Sequence, residues 1–338
     1  MGLRQPRKLL GLAHRRTEGY PGGNTAEGDC ALFSLTTGAS NTSLGFNGLY
    51  HNTTGSYNTA SGNQALFNNT TGLTNTADGF RALYSNTTGY QNTAIGPQAL
   101  YNNIAGWDNT ALGFDALFHN TSIYNTATGV NTLYSNTTGG FNMANGAFAL
   151  ASNTTGGSNT ANGFNALYSN NTGNWNTANG QAALYRNTTG GFNTANGVNA
   201  LYSNTTGGFN IALGFNAGSN LTTGNNNIDI YDTGVGGESN TIRIGTVGTQ
   251  TSTFIAGIRG VTVASGVGVI VGSNGQLGAV VSSERFKKEI KPMDKASEAI
   301  LALKPVTFRY KHELDPDGIP WAVRYAPRRG AATARKAL

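Results

Sequence analysis

From Asn24 onward the chain repeats itself every 17 residues. The Asn that opens an "NTAxG"-like unit recurs at 41, 58, 75, 92, 109, 125, 142, 159, 176, 193 and 210, giving twelve units with ten intervals of 17 and one of 16. The short interval falls at "NTSIYN", where one residue has dropped out. The consensus reads N-T-A-x-G-x-x-A-L-Y-x-N-T-T-G-x-x. Its fifth position is Gly in all twelve units, from Gly28 to Gly214, and its ninth is Leu in eleven, from Leu32 to Leu201. Such a period fixes the architecture before any single residue is interpreted, because each unit must bury its apolar side against the next.

Seventeen residues is too few for a helical-hairpin repeat, which needs about 33 or more. The 48 glycines among 338 residues argue the same way, since each Gly costs a helix interior up to ~1 kcal/mol. A β-solenoid coil suits this composition. Glycine takes the turn positions that require φ > 0, while Ala, Leu and a second Ala point inward and stack on their equivalents one coil away. Asn and Thr at fixed positions become ladders, each side chain bonding its counterpart in the next coil. Coils stack at the strand spacing of ~4.8 Å, so twelve make a rod of roughly 55 to 60 Å. The predicted fold is mainly β, a parallel β-solenoid of 17-residue coils spanning residues 24–224. Its inward set is thin, which predicts a narrow coil that gains burial by side-to-side association into an oligomer.

Charge is unevenly placed. The formal +6 resolves into +4 over residues 1–23, −3 over 24–224, −1 over 225–281 and +6 over 282–338, and the long middle holds two basic against five acidic residues. It is not a polyanion-binding surface, and no nucleic acid is expected as partner. Residues 1–23 form a basic, non-repeat segment without an apolar run and cleavage site, so no secretory signal is visible; this points to export by another route or to a start upstream of Met1. No stretch approaches a membrane span. The lone Cys30 allows no disulfide framework and reads as a small buried or half-buried filler, with a thiol at a subunit contact as the competing role. His14, His51, His119 and His312 lack the paired spacing of a metal site, so neither a metal ligand nor a cofactor is assigned. "GVGVIVG" at 266–272 lacks the spacing of a dinucleotide loop. The aromatic column at the tenth position, Phe33 to Tyr202, reads as packing between coils or subunits, with a sugar-stacking surface as the alternative.

The half-unit G-x-x-N-T-A-x-G resembles the seven-residue half of the repeat in the head domains of trimeric autotransporter adhesins of the YadA type. The resemblance covers about residues 24–230 and implies a left-handed parallel β-roll packed three-fold. The other half, G-x-x-A-L-Y-x-N-T-T-G, departs from that pattern by carrying ten residues rather than seven. The three extra residues form either a bulging loop or a single helical turn around "ALYSN".

After Gly224 the language changes. Residues 225–281 show short apolar alternations, Ile228/Ile230 and Ile242/Ile244, with Gly-rich turns between them, and read as strands and hairpins that cap the rod. "GSNG" at 272–275 is a turn signal. Then "VVSSERFKKEI", residues 280–290, sets five ionisable side chains into six positions.

"SSERFKKEIKPMDKASEAILALKPVTFRYKHELDPDG" is similar to the start of the peptidase S74 family, the C-terminal intramolecular chaperone of phage tailspikes and tail fibres. Ser282, Glu284, Arg285, Lys287 and Ile290 match its S-D-E-R-L-K-x-x-I entry motif, with Phe286 in place of Leu. The resemblance implies a small α+β segment, residues 282–320, that trimerises, guides folding of the fibre before it, and cuts itself off. It also implies scission at Val281–Ser282 by Ser282 as nucleophile with Lys287 as base. That chemistry is sound in itself, since desolvation can lower a Lys pKa toward neutrality and Lys288 and Lys291 disfavour a further positive charge nearby. On a helix Ser283 and Lys287 share a face, so Ser282 meets Lys287 only if it precedes the helix. A Ser ahead of "ERFKKEI" is equally an ordinary N-cap, and that reading stands beside the catalytic one. The family continues into a long helical region where this chain has "WAVRYAPRRGAATARKAL", so the segment reads as partial and 321–338 as a disordered basic tail.

These features together predict a structural fibre or adhesin-like stalk of tail-fibre or surface-fibre type. It is trimeric, extracellular or carried on a cell surface or virion, and would meet a cell-surface glycan or receptor. At most one enzymatic act is expected, the single autocatalytic cleavage. The alternative function is an ice- or carbohydrate-binding solenoid using Thr/Asn or aromatic ladders.

Overall fold

The computed structural model describes residues 20–255, 269–279, 305–308 and 322–325. Two compact units divide the chain at Phe254/Ile255. The first is the solenoid. Fourteen three-residue strands, from β1 (Thr25–Glu27) to β13 (Ile228–Ile230) and β14 (Ile242–Ile244), form one parallel sheet in strict chain order. Pairing is in register with the repeat: Thr59 faces Thr76, Ala60 faces Ala77 and Ser61 faces Asp78. The only helical element among the described residues is the short turn Pro21–Gly23.

One coil, residues 58–74, shows how the sequence builds the whole. Ala60 points inward from the strand, and Ala65 and Leu66 point inward from the turn opposite; all three are fully buried. Asn58 and Asn69 are buried as well, and both donate through Nδ2 to the carbonyl of Gly72, at 2.8 and 3.0 Å. Each also reaches back one coil: Asn58 donates backbone N–H and Nδ2 to Asn41 Oδ1, and Asn69 donates Nδ2 to Asn52 Oδ1 at 2.7 Å. The interior is thus an Ala/Leu core flanked by two amide ladders whose donors and acceptors are matched along the stack. A buried amide without such partners would cost about 1–3 kcal/mol.

Two glycine positions make this close stacking feasible. At the fifth position φ runs from +116° to +142°, and a Cβ on Gly62 would sit 2.6 Å from the carbonyl oxygen of Gly79 in the next coil. At the fifteenth, a Cβ on Gly89 would sit 2.5 Å from Gly106 O. Side-chain volume is traded within a coil in the same spirit. Ser43 replaces the inward Ala of its strand, and Gly48 replaces the inward Ala of the turn, where a Cβ would collide with Ser43 Oγ.

The ten-residue half contains neither a helical turn nor a loose loop. Its seventh and ninth positions both adopt positive φ, as at Gln64 (59°) and Leu66 (51°). Gln64 N–H therefore points back to Phe46 O, while Leu66 N–H points forward to Ala82 O. Left-handed backbone costs a non-Gly residue roughly 1–2 kcal/mol, and complete burial of the Leu side chain, worth about 1.5–3 kcal/mol, offsets it.

Two further expectations are corrected. Cys30 is exposed rather than buried or half-buried, because its position at the surface of the first coil's turn has φ of 59° and faces outward. Ile228–Ile230 and Ile242–Ile244 are not strands of hairpins; they continue the parallel sheet. Asn227 keeps the amide ladder going by donating to Asn210 Oδ1, and the next step, of 14 residues, hides the period from counting. The rod has about 13 turns. The 16-residue coil, by contrast, absorbs its deletion in the "NTTG" segment: Ser122 O stands where Gly O normally does and accepts from both Asn109 and Asn120.

In the second unit, β15 (Val269–Val271) and β16 (Leu277–Ala279) form an antiparallel hairpin across the "GSNG" turn. β17 (Pro305–Phe308) pairs antiparallel with β18 (Ala322–Tyr325).

Asn92→Asp tests the ladder. The new oxygen would face the acceptors Gly106 O and Asn75 Oδ1 in place of the Nδ2 that now donates to both. Denaturant unfolding should show a loss of about 1–3 kcal/mol or more, whereas Thr93→Ala, on the outward side of the same strand, should change stability by no more than about 0.5 kcal/mol.

Candidate functional site

The strand sets which side chains can meet a partner. Its middle residue is inside the coil, so the residues on either side of it point out. The second position presents Thr from Thr25 through Thr126 and again at Thr160, Thr177 and Thr194, paired coil to coil in register. The Asn ladders lie in the interior and present no ligand surface. Threonines of the "NTT" segment are committed too: Thr53 Oγ1 donates to Thr70 O, and Thr70 Oγ1 to Thr87 O.

The aromatic column packs between coils. From Phe33 to Tyr134 successive rings stack with centroids 5.0–5.3 Å apart and planes within 20°. Ala151 interrupts the stack, which resumes from Tyr168 to Tyr202. Each inner ring spends both faces on its neighbours, leaving only edges for a sugar. His51 and His119 set their imidazoles edge-on against this column. Arg81 and Arg186 lie over Tyr84 and Tyr202, so both cations of the repeat region are engaged with rings. An open trough, rather than an enclosed cavity, runs past Ser34, His51, Thr53, Asn68 and Thr70.

Electrostatic tension gathers in the thirteenth coil. Asp229 occupies the position that is Ala or Ser in every earlier strand, between Ala212 and Arg243 in register. Its carboxylate is buried, and neither oxygen has a hydrogen-bond partner. Space for it comes from Gly218, where the repeat has Leu, and from Gly234: a Cβ on either would lie 3.1–3.2 Å from Oδ2. Arg243 is turned away and pairs with Glu238, Nη2 to Oε2 at 2.7 Å and Nε to Oε1 at 2.9 Å. Burial first, then the nearby charges of Glu238 and Asp232, push the Asp229 carboxyl up to about 7 against the opposing pull of Arg243. The arginine's hydrogen bonds hold Glu238 below the usual carboxylate range. The sequence announces this residue in "NIDI", where Asp stands in the Ala column.

Val281, Ser282 and Lys287 lie outside the described residues, as do Ser283, Lys288 and Lys291. Pro305 and Phe308 of the S74-like motif are both in β17. No helix of the described residues is long and apolar enough to cross a membrane.

Residues 282–323 match the Peptidase S74 family, described as the chaperone of endosialidase. The match begins at Ser282 and ends within β18. No curated protein and no solved structure matches the chain.

Asp229 makes the end of the rod pH-dependent. Its carboxyl is raised in the folded state above its ordinary 3.8 to about 7, so folding favours the protonated form. The stabilising contribution is complete below about pH 4 and is lost as pH rises toward 7. Thermal unfolding between pH 4.5 and 8 should show a falling Tm whose slope flattens in Asp229→Ala, which restores the residue of the column.

Proposed function

We propose that the chain is the rod of a structural fibre, of phage tail-fibre or cell-surface type, followed by an S74-type chaperone segment. The observation that carries this reading is the family match beginning at Ser282 in a chain whose preceding part is a parallel β-solenoid. A thin rod built from in-register ladders has a structural use, and an S74-type segment has the use of assembling such a rod. In this reading three copies associate and the segment then cuts itself off at Val281–Ser282. Ser282 Oγ attacks the carbonyl of Val281 while Lys287 takes the hydroxyl proton and passes it to the departing Ser282 nitrogen, so the peptide C–N bond is exchanged for an ester. Water then hydrolyses the ester and frees the Val281 carboxylate, and Lys288 and Lys291 help to keep Lys287 neutral. The residues between the last strand of the rod and the cut, 245–281, join rod to chaperone in sequence, and residues 326–338, after β18, form a basic tail. The fibre works outside the cell or on a virion and meets a surface glycan or receptor.

Intact mass of freshly expressed protein, beside Ser282→Ala and Lys287→Ala, tests the self-release. The expected result is a cut at Val281–Ser282 in the parent chain that both substitutions abolish. A single full-length mass in the parent chain overturns self-release and leaves the rod with an uncut assembly segment.

One observation favours a second reading, a rod that orders water or a sugar polymer: the outward Thr column, in register on a parallel sheet. Met143 and Ile211 interrupt it. Thermal hysteresis measured at micromolar protein should be absent if the rod is only structural, and a clear hysteresis gap would promote ice binding.

A further inference from the structure

The exposed apolar side chains of the repeat region are not scattered. Between residues 24 and 224 every large exposed hydrophobic except Phe33, Leu73 and Ile104 lies on one side. That side is the strand-bearing segment of each coil, from the residue before the ladder Asn to the residue after the fifth-position Gly. From Thr110 to Phe215 its outward positions hold Thr, Ser, Asn, Gln, Ala and apolar residues, with no charge. Acidic residues on this side, Glu27, Asp29, Asp78 and Asp108, are confined to the earlier coils.

A second observation is independent of the first. Tyr124, Phe141, Trp175, Phe192 and Phe209, each just before a ladder Asn, adopt φ of 57–61°. Left-handed backbone is unfavourable for a bulky side chain and is tolerated more readily by Asn, which occupies the equivalent sites 226 and 240. The buried Leu of each coil recovers that strain by burial, whereas these rings recover only part of it by stacking, Tyr124 on Phe141, Trp175 on Phe192 and Phe192 on Phe209; Trp175 remains 60% exposed and Phe141 61%. Strained, exposed aromatic residues held in a column point to a surface that covers them.

We propose that the outward side of the sheet from Thr110 to Phe215 is where copies of this chain pack on one another, parallel and in register. The proposal rests on the fibre reading and assigns the contact within it. Three arguments select a second copy as the occupant. Matching this side column for column over seven coils requires a partner with the same axial repeat, and another copy has it. The side measures roughly 30 by 20 Å over those coils and about 55 by 20 Å over twelve, or about 600 to 1,100 Å², which brackets the ~800 Å² each partner gives to a stable interface. The remaining sides have less to offer: the tenth-position rings after Phe33 are already half-buried in their own stack, and the "NTT" hydroxyls bond the next coil. Parallel register brings each acid of the early coils near its own copy, so contact should be tightest in the later coils.

The test uses the full chain with Cys30→Ser, adding Thr177→Cys, Thr76→Cys or Ser169→Cys, the last on the turn segment. Each is treated with a short-spacer bis-maleimide and run under denaturing conditions, while the parent chain is sized by sedimentation. The proposal expects a multimeric parent, with several-fold more linked dimer from Thr177→Cys than from Ser169→Cys, and Thr76→Cys between them. Phe164→Lys with Phe192→Lys should lower the associated fraction at a given concentration, and circular dichroism checks that the variant is folded. If that variant does not fold, the thiol series decides alone. A multimeric parent that links through Ser169→Cys and not Thr177→Cys overturns the face assignment and leaves the fibre reading standing. A monomeric parent at micromolar concentration overturns both the assignment and the multimeric fibre. In that case, sedimentation with an insoluble polysaccharide that Phe164→Lys with Phe192→Lys abolishes would give the face to a glycan instead.

Discussion

Everything in the rod depends on one shared acceptor. In each regular coil the two buried amides, such as Asn58 and Asn69, converge on a single glycine carbonyl while each also reaches the coil before. In the regular coils a Cβ on that residue would meet the next coil's carbonyl, which explains Gly at the fifteenth position; Ser122 takes the role only in the shortened coil. The ladders let a core of Ala and Leu, too meagre to order a chain of this composition alone, hold a regular stack. The second ladder runs from Asn52 to Asn204 and is bounded by Leu35 and Leu221 at the equivalent positions, so Asn204 Oδ1 ends without a donor.

The solenoid was legible from the period, because a coil that repeats its Gly, Ala and Leu at fixed places must stack them. What escaped was conformation that no residue type advertises. Leu at the ninth position looks like an ordinary inward residue, yet it takes left-handed φ in every coil that has it. Nothing in Leu signals that; only the need to aim consecutive N–H groups at opposite neighbours does. The thirteenth coil escaped for a different reason: Asn227 keeps both the 17-residue count and the bonding, but Ile228, Asp229 and Tyr231 stand where the motif has Thr, Ala and Gly, and the step that follows is 14 residues. The S74-like segment was readable from Ser282, Glu284, Arg285 and Lys287, a linear motif that needs no fold to be seen, and the family match covers the same residues. How Ser282 and Lys287 meet depends on three-dimensional placement, which neither spacing nor the match supplies.

Function divides along the chain in the same way. The repeat supplies length and surface without a cleft for chemistry, and its two cations lie over rings. Asp229, just beyond it, is a carboxyl set where every earlier strand carries Ala or Ser, with no bond for either oxygen. It marks where the rod ceases to be self-similar and a different kind of chain begins.

The amide ladders also have a direction. Every Asn of the first column from Asn41 to Asn227 donates toward the coil made before it, and each from Asn24 onward leaves its own Oδ1 for the coil made after it. A nascent chain leaving the ribosome therefore always shows a row of waiting acceptors at its growing end. Each finished coil presents the acceptors that the next coil's amides need, and the ladder sets register within one chain only.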